Sequence, residues 1–334
     1  MDASDKPQGE SKPRKGWKEH LLRSGVPLEY EVATVLGQAG MEVEADFSYL
    51  RRDLGGAKEW SVDILATWEG RTRRQQLSLH ILIECKYRSP EKLFVFLQAP
   101  TTIVSPLILG GTVNAFSQFS LFYLPYGCFE TLEKQLAWVY KGVELHQRDA
   151  VEEDIRHGIQ QLRYATPSAL RQAFEFATDA ALGGSGYAIF FTKIMVTNAP
   201  ILVLDRRAGL EAIRSAEHIE DITSQEQTVI MFSDYGPDYR DHFKHAFSGE
   251  DSWLLDNAKE LRTQLQLRGK ATTFGNDPAQ LVEDLGAATR SDISGVSSQF
   301  FITTLDGLPW LLSQIQTACT TSYKGRTKRP PKTS

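Results

Sequence analysis

Three charged residues in this chain stand where burial would be costly. Asp63 interrupts the apolar stretch Trp60-Ser61-Val62-Asp63-Ile64-Leu65-Ala66, and Glu84 and Lys86 close the run that begins at Leu77. That run is too short for a typical helix and rich in Leu and Ile, so it reads as a strand buried on both faces. Alternation along the strand puts Glu84 and Lys86 on one face and Cys85 on the other. A buried charge must be paired or bind a metal. Two carboxylates beside a lysine form a hard oxygen site suited to Mg²⁺ or Mn²⁺, with an ammonium placed to offset negative charge. On spacing alone, a structural acid–lysine ion pair at a strand end fits as well.

The elements around these residues decide whether they meet. Glu69-Gly70 and the polar run Arg71 to Gln76 read as a hairpin connection. It would make the two strands antiparallel neighbours and bring Asp63 beside Glu84. Upstream, Pro27 opens a helix whose apolar stripe is Leu28, Val32, Val35, Leu36 and Ala39, and Gly40 ends it. Glu29 lies at the edge of that stripe, leaning toward a sheet beneath, whereas Glu31 points about 200° away. Glu29 is the candidate third carboxylate, and it also fits a first-turn acid that complements the helix dipole. Met41 to Leu50 alternates like a half-exposed strand, with Glu42, Glu44 and Asp46 on its polar side. Arg52 to Gly56 forms the turn that follows.

Asp63 followed by Ile83-Glu84-Cys85-Lys86-Tyr87 resembles the PD-(D/E)xK nuclease superfamily, and within it the Mrr-like, restriction-endonuclease-like branch. The helix start Gly25-Val26-Pro27-Leu28-Glu29 matches the helical glutamate of that family, while Val62 stands where a proline often precedes the aspartate. The likeness covers about residues 20–90 and extends loosely to about 205. It implies an α/β fold with an αβββαβ core, a mixed sheet flanked by helices, and a C-terminal α/β extension. It further implies Mg²⁺-dependent hydrolysis of nucleic acid, DNA more than RNA, with Mn²⁺ as a substitute. A bacterial restriction or defence role would suit the family. Asp63, Glu84, the Cys85 carbonyl and Glu29 would be the metal-binding set, and Lys86 would orient the attacking water. The alternative is a catalytically inactive member of the fold that binds nucleic acid or scaffolds a complex, and a protein partner or homodimer suits either reading.

At 334 residues and net charge −5, the composition is that of a soluble globular protein. No stretch approaches the roughly 20 apolar residues of a membrane helix. The cysteines (Cys85, Cys128 and Cys319) form neither a zinc pattern nor a disulfide framework, which points to a cytoplasmic setting. Arg51-Arg52, then Arg71, Arg73 and Arg74, and finally Arg88 are expected near the site as phosphate contacts.

Residues 1–16 read as a disordered tail, 17–205 as the nuclease-like domain with an insertion at about 90–145, 206–321 as an α/β region of unknown role, and 322–334 as a basic disordered tail. The insertion carries the aromatic cluster Phe116, Phe119, Phe122, Tyr123, Tyr126 and Phe129, a candidate for base stacking and equally for core. Asp149 is expected to cap a helix to Ala165 that Pro167 breaks, with a second helix from Ser168 to Leu182. From the first of these, Gln160 or Gln161 could approach the site or simply face solvent. His242 and His245 share a helix face and read as surface residues.

Overall fold

The computed structural model describes residues 16–53, 56–71, 76–98, 113–117, 120–122, 132, 135–146, 149–184, 187–248, 253–268, 277–287 and 290–325. Within it, α1 (Trp17–Arg23) and α2 (Val26–Gln38) precede a meander of long strands: β1 (Glu42–Asp53), β2 (Gly56–Arg71) and β3 (Gln76–Lys86). The strands β4 (Leu93–Gln98), β5 (Val113–Ser117), β6 (Ser120–Phe122), β7 (Ala137–His146) and β8 (Asp149–Val151) follow, then the long helix α3 (Glu153–Leu182) and strands β9 (Tyr187–Thr197) and β10 (Ile201–Leu204). The last third contributes α4 (Leu210–Ser215), β11 (Thr223–Glu226), β12 (Thr228–Phe232), α5 (Pro237–Ser248), α6 (Trp253–Leu267), α7 (Pro278–Gly286), α8 (Arg290–Ser297), β13 (Gln299–Thr304) and α9 (Leu308–Gly325).

The fold is α/β, a large mixed sheet flanked by helices. Its main path runs β1-β2-β3-β9-β13-β12-β7-β4-β10-β11. β1, β2 and β3 are mutually antiparallel, and β9 lies parallel to β3 along its whole length. Strands from the 90–145 stretch and from beyond residue 205 join the same sheet, with β12 and β13 lying between β9 and β7. Residues 77–85 of β3 are all buried, as its unbroken apolar run predicts for a central strand. One sheet face is covered by α2, through Leu28, Val32 and Leu36, and by α9, through Leu311, Leu312 and Ile315. The other carries α3, α5, α6, α7 and α8. Among the described residues no helix is long and apolar enough to cross a membrane.

The region around Pro167 departs from the expectation. Helix α3 is continuous from Glu153 to Leu182 with Pro167 inside it. An interior proline costs about 3 kcal/mol, but Ile159, Leu162, Ala169, Leu170 and Phe174 are all buried by the unbroken rod. Fully burying a Leu or Phe contributes roughly 1.5–3 kcal/mol each, so packing outweighs the lost backbone bond. Asp149 does not cap this helix; it opens β8, which pairs back on β7. Helix α9 continues to Gly325, through the first residues of the expected basic tail, while 1–15 and 326–334 lie outside the described residues. His242 is buried instead of exposed, and its Nε2 meets the Tyr164 carbonyl at 2.8 Å, a core contact with no metal geometry.

Candidate active site at the end of a buried strand

The ladder between β2 and β3 is continuous from Arg71↔Gln76 to Ile64↔Ile83 and stops there. Asp63 is the next residue of β2, and its side chain takes over from the backbone: Oδ2 accepts the Cys85 N–H at 2.6 Å. The alternation of β2 breaks at the same point. Val62 packs into the core on the α3 side, and Ile64 into the core on the α2 side, although residues two apart in a regular strand share a face. The two strands therefore part at Asp63, and its carboxylate stands in the opening beside Glu84.

β1 is irregular at the matching position. Its pairing with β2 passes from Ala45↔Ile64 to Phe47↔Val62, leaving out Asp46 and Asp63. Asp46 adopts φ 53°, a left-handed conformation that only short polar side chains and glycine visit readily. The alternating pattern placed Asp46 on the solvent side, and it is exposed; the pattern did not show that it faces Asp63. Burial, with a smaller push from Asp46, holds the Asp63 carboxyl above its ordinary value, against the Cys85 N–H and Lys86. Glu29, half-buried on the first turn of α2, is likewise raised by burial and by the charges of Asp63 and Asp46. The expected helical glutamate thus lies within electrostatic reach of the strand acids.

Glu84 is 1 % exposed. Its Oε1 accepts from Lys86 Nζ at 2.6 Å, and among the described residues Oε2 has no hydrogen-bond partner. Burial pushes its carboxyl up to about 8, opposed by Lys86, assisted by the charge of Asp63 and opposed weakly by the Asp63 backbone N–H. Lys86 is held from a second side by Gln161 Oε1 at 3.0 Å, so Gln161, and not Gln160, is the helix residue that reaches the site. Gly158 makes the approach of α3 possible. A methyl group there would sit 2.9 Å from Lys86 Cε and 2.9 Å from Met195 Sδ. An isolated glycine in a strong helix, which costs about 1 kcal/mol relative to alanine, was the available sequence signal for this close contact. Cys85 points to the opposite face, into the apolar core under α2.

The donor set suits a divalent ion. Among the described residues no three His, Cys, Asp or Glu side chains form a ready-made cage. Mg²⁺ does not need one, since it commonly rests on one or two carboxylates and keeps several waters. A buried carboxylate oxygen without a partner, next to a second carboxylate, is where such an ion gains most. Asp63 and Glu84 would supply side-chain oxygens, Cys85 its carbonyl, and Glu29 an outer contact.

Of the expected phosphate contacts, the side chains of Arg51, Arg71 and Arg88 lie among the described residues. Arg71 is exposed at the far end of β2 from Asp63, roughly 26 Å away at 3.3 Å per residue. Residues 73 and 74, like the side chain of Arg52, lie outside the described residues. Arg88 is committed to the structure: Nε binds Glu144, Nη2 lies 3.2 Å from Asp154, and Nη1 donates to the Tyr87 carbonyl at 2.7 Å. Arg51 stacks 3.8 Å from the Tyr164 ring and pairs with Asp238 at 3.5 Å. The side chains of the aromatic cluster are also outside the described residues. No family model, no curated protein and no solved structure matches the chain.

Proposed function

We propose that the protein is a divalent-metal-dependent nuclease of the PD-(D/E)xK kind that hydrolyses the phosphodiester bonds of nucleic acid, with DNA the favoured reading of its substrate. The observation that carries this reading is the unpartnered Glu84 oxygen, buried beside Asp63 where β2 and β3 part, with Lys86 in contact. The element order α2-β1-β2-β3-α3-β9, with β9 parallel to β3, supports the restriction-endonuclease-like core that the sequence resembles.

A metal ion bound there would lower the pKa of water and offset charge on the phosphate. The roles of the chain's own groups follow from their positions. Asp63 and Glu84 would hold such an ion, and Glu29 would order water at its outer side. Lys86, restrained by Gln161, presents its ammonium to the attacking water or to the charge developing on phosphorus. Asp46 keeps the strand opening acidic and hydrated.

The test combines binding and turnover. Titration calorimetry with Mn²⁺ should show binding to wild type and Lys86→Ala and none to Asp63→Ala. Plasmid, single-stranded DNA and RNA are then incubated with Mg²⁺, and only wild type should cut. Equal cleavage by all three proteins would remove the assignment. Absence of Mn²⁺ binding to wild type would favour the non-catalytic scaffold instead.

A further inference from the structure

Helix α3 has two working faces. Gly158 and Gln161 lie against Lys86. Arg156, Gln160 and Arg163, spaced at helical repeats, line a separate cavity of about 450 Å³ whose other walls include Arg51, Tyr140 and Lys141. That volume lies within the range of small-ligand sites. The two sites are neighbours: Arg51 follows Tyr49 on the same face of β1, roughly 7 Å along the strand, and the Tyr49 phenol lies within electrostatic reach of Glu84.

The charges of this cavity do not cancel internally. Lys141 is paired with Glu152 at 2.7 Å and Arg51 with Asp238 at 3.5 Å. Arg163 is buried, yet its Nε and Nη2 donate to the backbone carbonyls of Ser297 and Ser233, at 3.2 and 2.7 Å, and to no carboxylate. Arg156 is exposed and has no ion pair among the described residues. Four cations (Arg51, Lys141, Arg156 and Arg163) thus line the cavity with three carboxylates (Glu152, Asp234 and Asp238), and Asp234 and Asp238 act on Arg163, which leaves Arg156 as the cation of α3 with no ion pair among the described residues. Tyr140 also lines the cavity and leaves 42 % of its surface exposed. Unpaired guanidinium beside an open ring suits a phosphate and a base together.

We propose that this cavity is a nucleotide subsite. It takes one nucleotide of the strand whose phosphodiester lies at Asp63 and Glu84, with the phosphate on the Arg156 wall and the base against Tyr140. The inference rests on the nuclease reading and adds to it where the chain grips its substrate.

The test uses the full-length protein carrying Lys86→Ala, so that substrate persists, and a short fluorescein-labelled single-stranded DNA followed by anisotropy in Mg²⁺. Arg156→Glu and Tyr140→Ala should each weaken binding about tenfold. The arginine variant should also flatten the salt dependence by about 0.7 in log–log slope, one phosphate contact. Both side chains are exposed, so both variants should unfold at the parent temperature. Deoxyadenosine monophosphate should displace the DNA at lower concentration than inorganic phosphate. Unchanged binding in both variants, while Asp63→Ala still abolishes cleavage in the otherwise wild-type protein, overturns the subsite and leaves the nuclease standing. Equal displacement by phosphate and mononucleotide overturns it as well, because the base would then add nothing. A wild type that neither binds the DNA nor cuts it removes both proposals.

Discussion

Two glutamates are buried almost equally deeply in this protein, and they have opposite fates. Glu144, on β7, is 2 % exposed, and both its oxygens are engaged: Arg88 Nε on one, Lys92 Nζ at 2.5 Å on the other. Glu84, on β3, shares one oxygen with Lys86 and leaves the other without a partner among the described residues. The first is a closed knot between β7 and the segment after β3. The second is an open valence. Burial alone therefore does not separate the two acids; what separates them is whether the fold compensates it.

The largest expected effect tests the open end. Lys86→Ala should lower the rate of cleavage by at least about a hundredfold and leave Mn²⁺ affinity largely intact, measured by single-turnover assay and calorimetry side by side. Turnover unaffected by this change would reduce Lys86 to a structural counter-ion and make the two glutamates alike.

Next comes the closed knot. Glu144→Ala takes the shared carboxylate from Arg88 and Lys92; Arg88 keeps Asp154 and Lys92 can reach water, so the loss should fall somewhat below the roughly 3–5 kcal/mol of a fully buried pair broken from one side. Denaturant unfolding should show that loss, and a change under about 1 kcal/mol would mean the knot is effectively solvated.

The third prediction concerns pH. In chelator, Glu84 has a folded pKa of about 8 against an ordinary 4.5. The folded state therefore holds the proton more tightly, and its contribution is fully present below 4.5. Stability falls as pH rises through the window up to about 8, with a slope of up to about 1.4 kcal/mol per pH unit. Glu84→Gln should remove that slope. An identical pH profile for the variant would show that Glu84 is not the group responsible.

The smallest effect sharpens the contrast in sign. At pH 7 without metal, Glu84→Gln should stabilise the protein by an amount on the order of 1 kcal/mol, since a carboxyl that titrates at about 8 when folded must take up a proton to be buried and an amide need not. The same variant should lose the rise in melting temperature that Mn²⁺ produces in wild type. Destabilisation instead would place Glu84 with Glu144.

Much of this arrangement was legible from residue order. Strand β3 was readable because an apolar run of its length admits few other structures, and the charges at its end followed from simple alternation. Asp63 came beside Glu84 because a short polar connection makes neighbouring strands antiparallel, and their register then aligns the two acids. Glu29 was found from its angular position on an amphipathic helix. Asp46 was not found, because its role depends on a break in pairing that no local pattern announces. The pattern left Gln160 and Gln161 as alternatives and missed Gly158, because the phase of α3 over the sheet is set by the whole apolar stripe. Arg71 lies away from the acids for a related reason: it shares a strand with Asp63, and a strand carries its residues apart at about 3.3 Å each. Pro167 misled because local propensity opposed a much larger burial of apolar surface.

The order of residues by itself determined which segments become strands and helices and placed acids on adjacent strands, because those outcomes depend on repeats of two and 3.6 residues along the chain. Tertiary structure alone decided which of the buried charges found partners. Hydrogen-bond satisfaction is settled by groups far apart in sequence: Arg88 reaches Glu144 from 56 residues away and Lys86 meets Gln161 across 75, while one oxygen of Glu84 has no hydrogen-bond partner among the described residues.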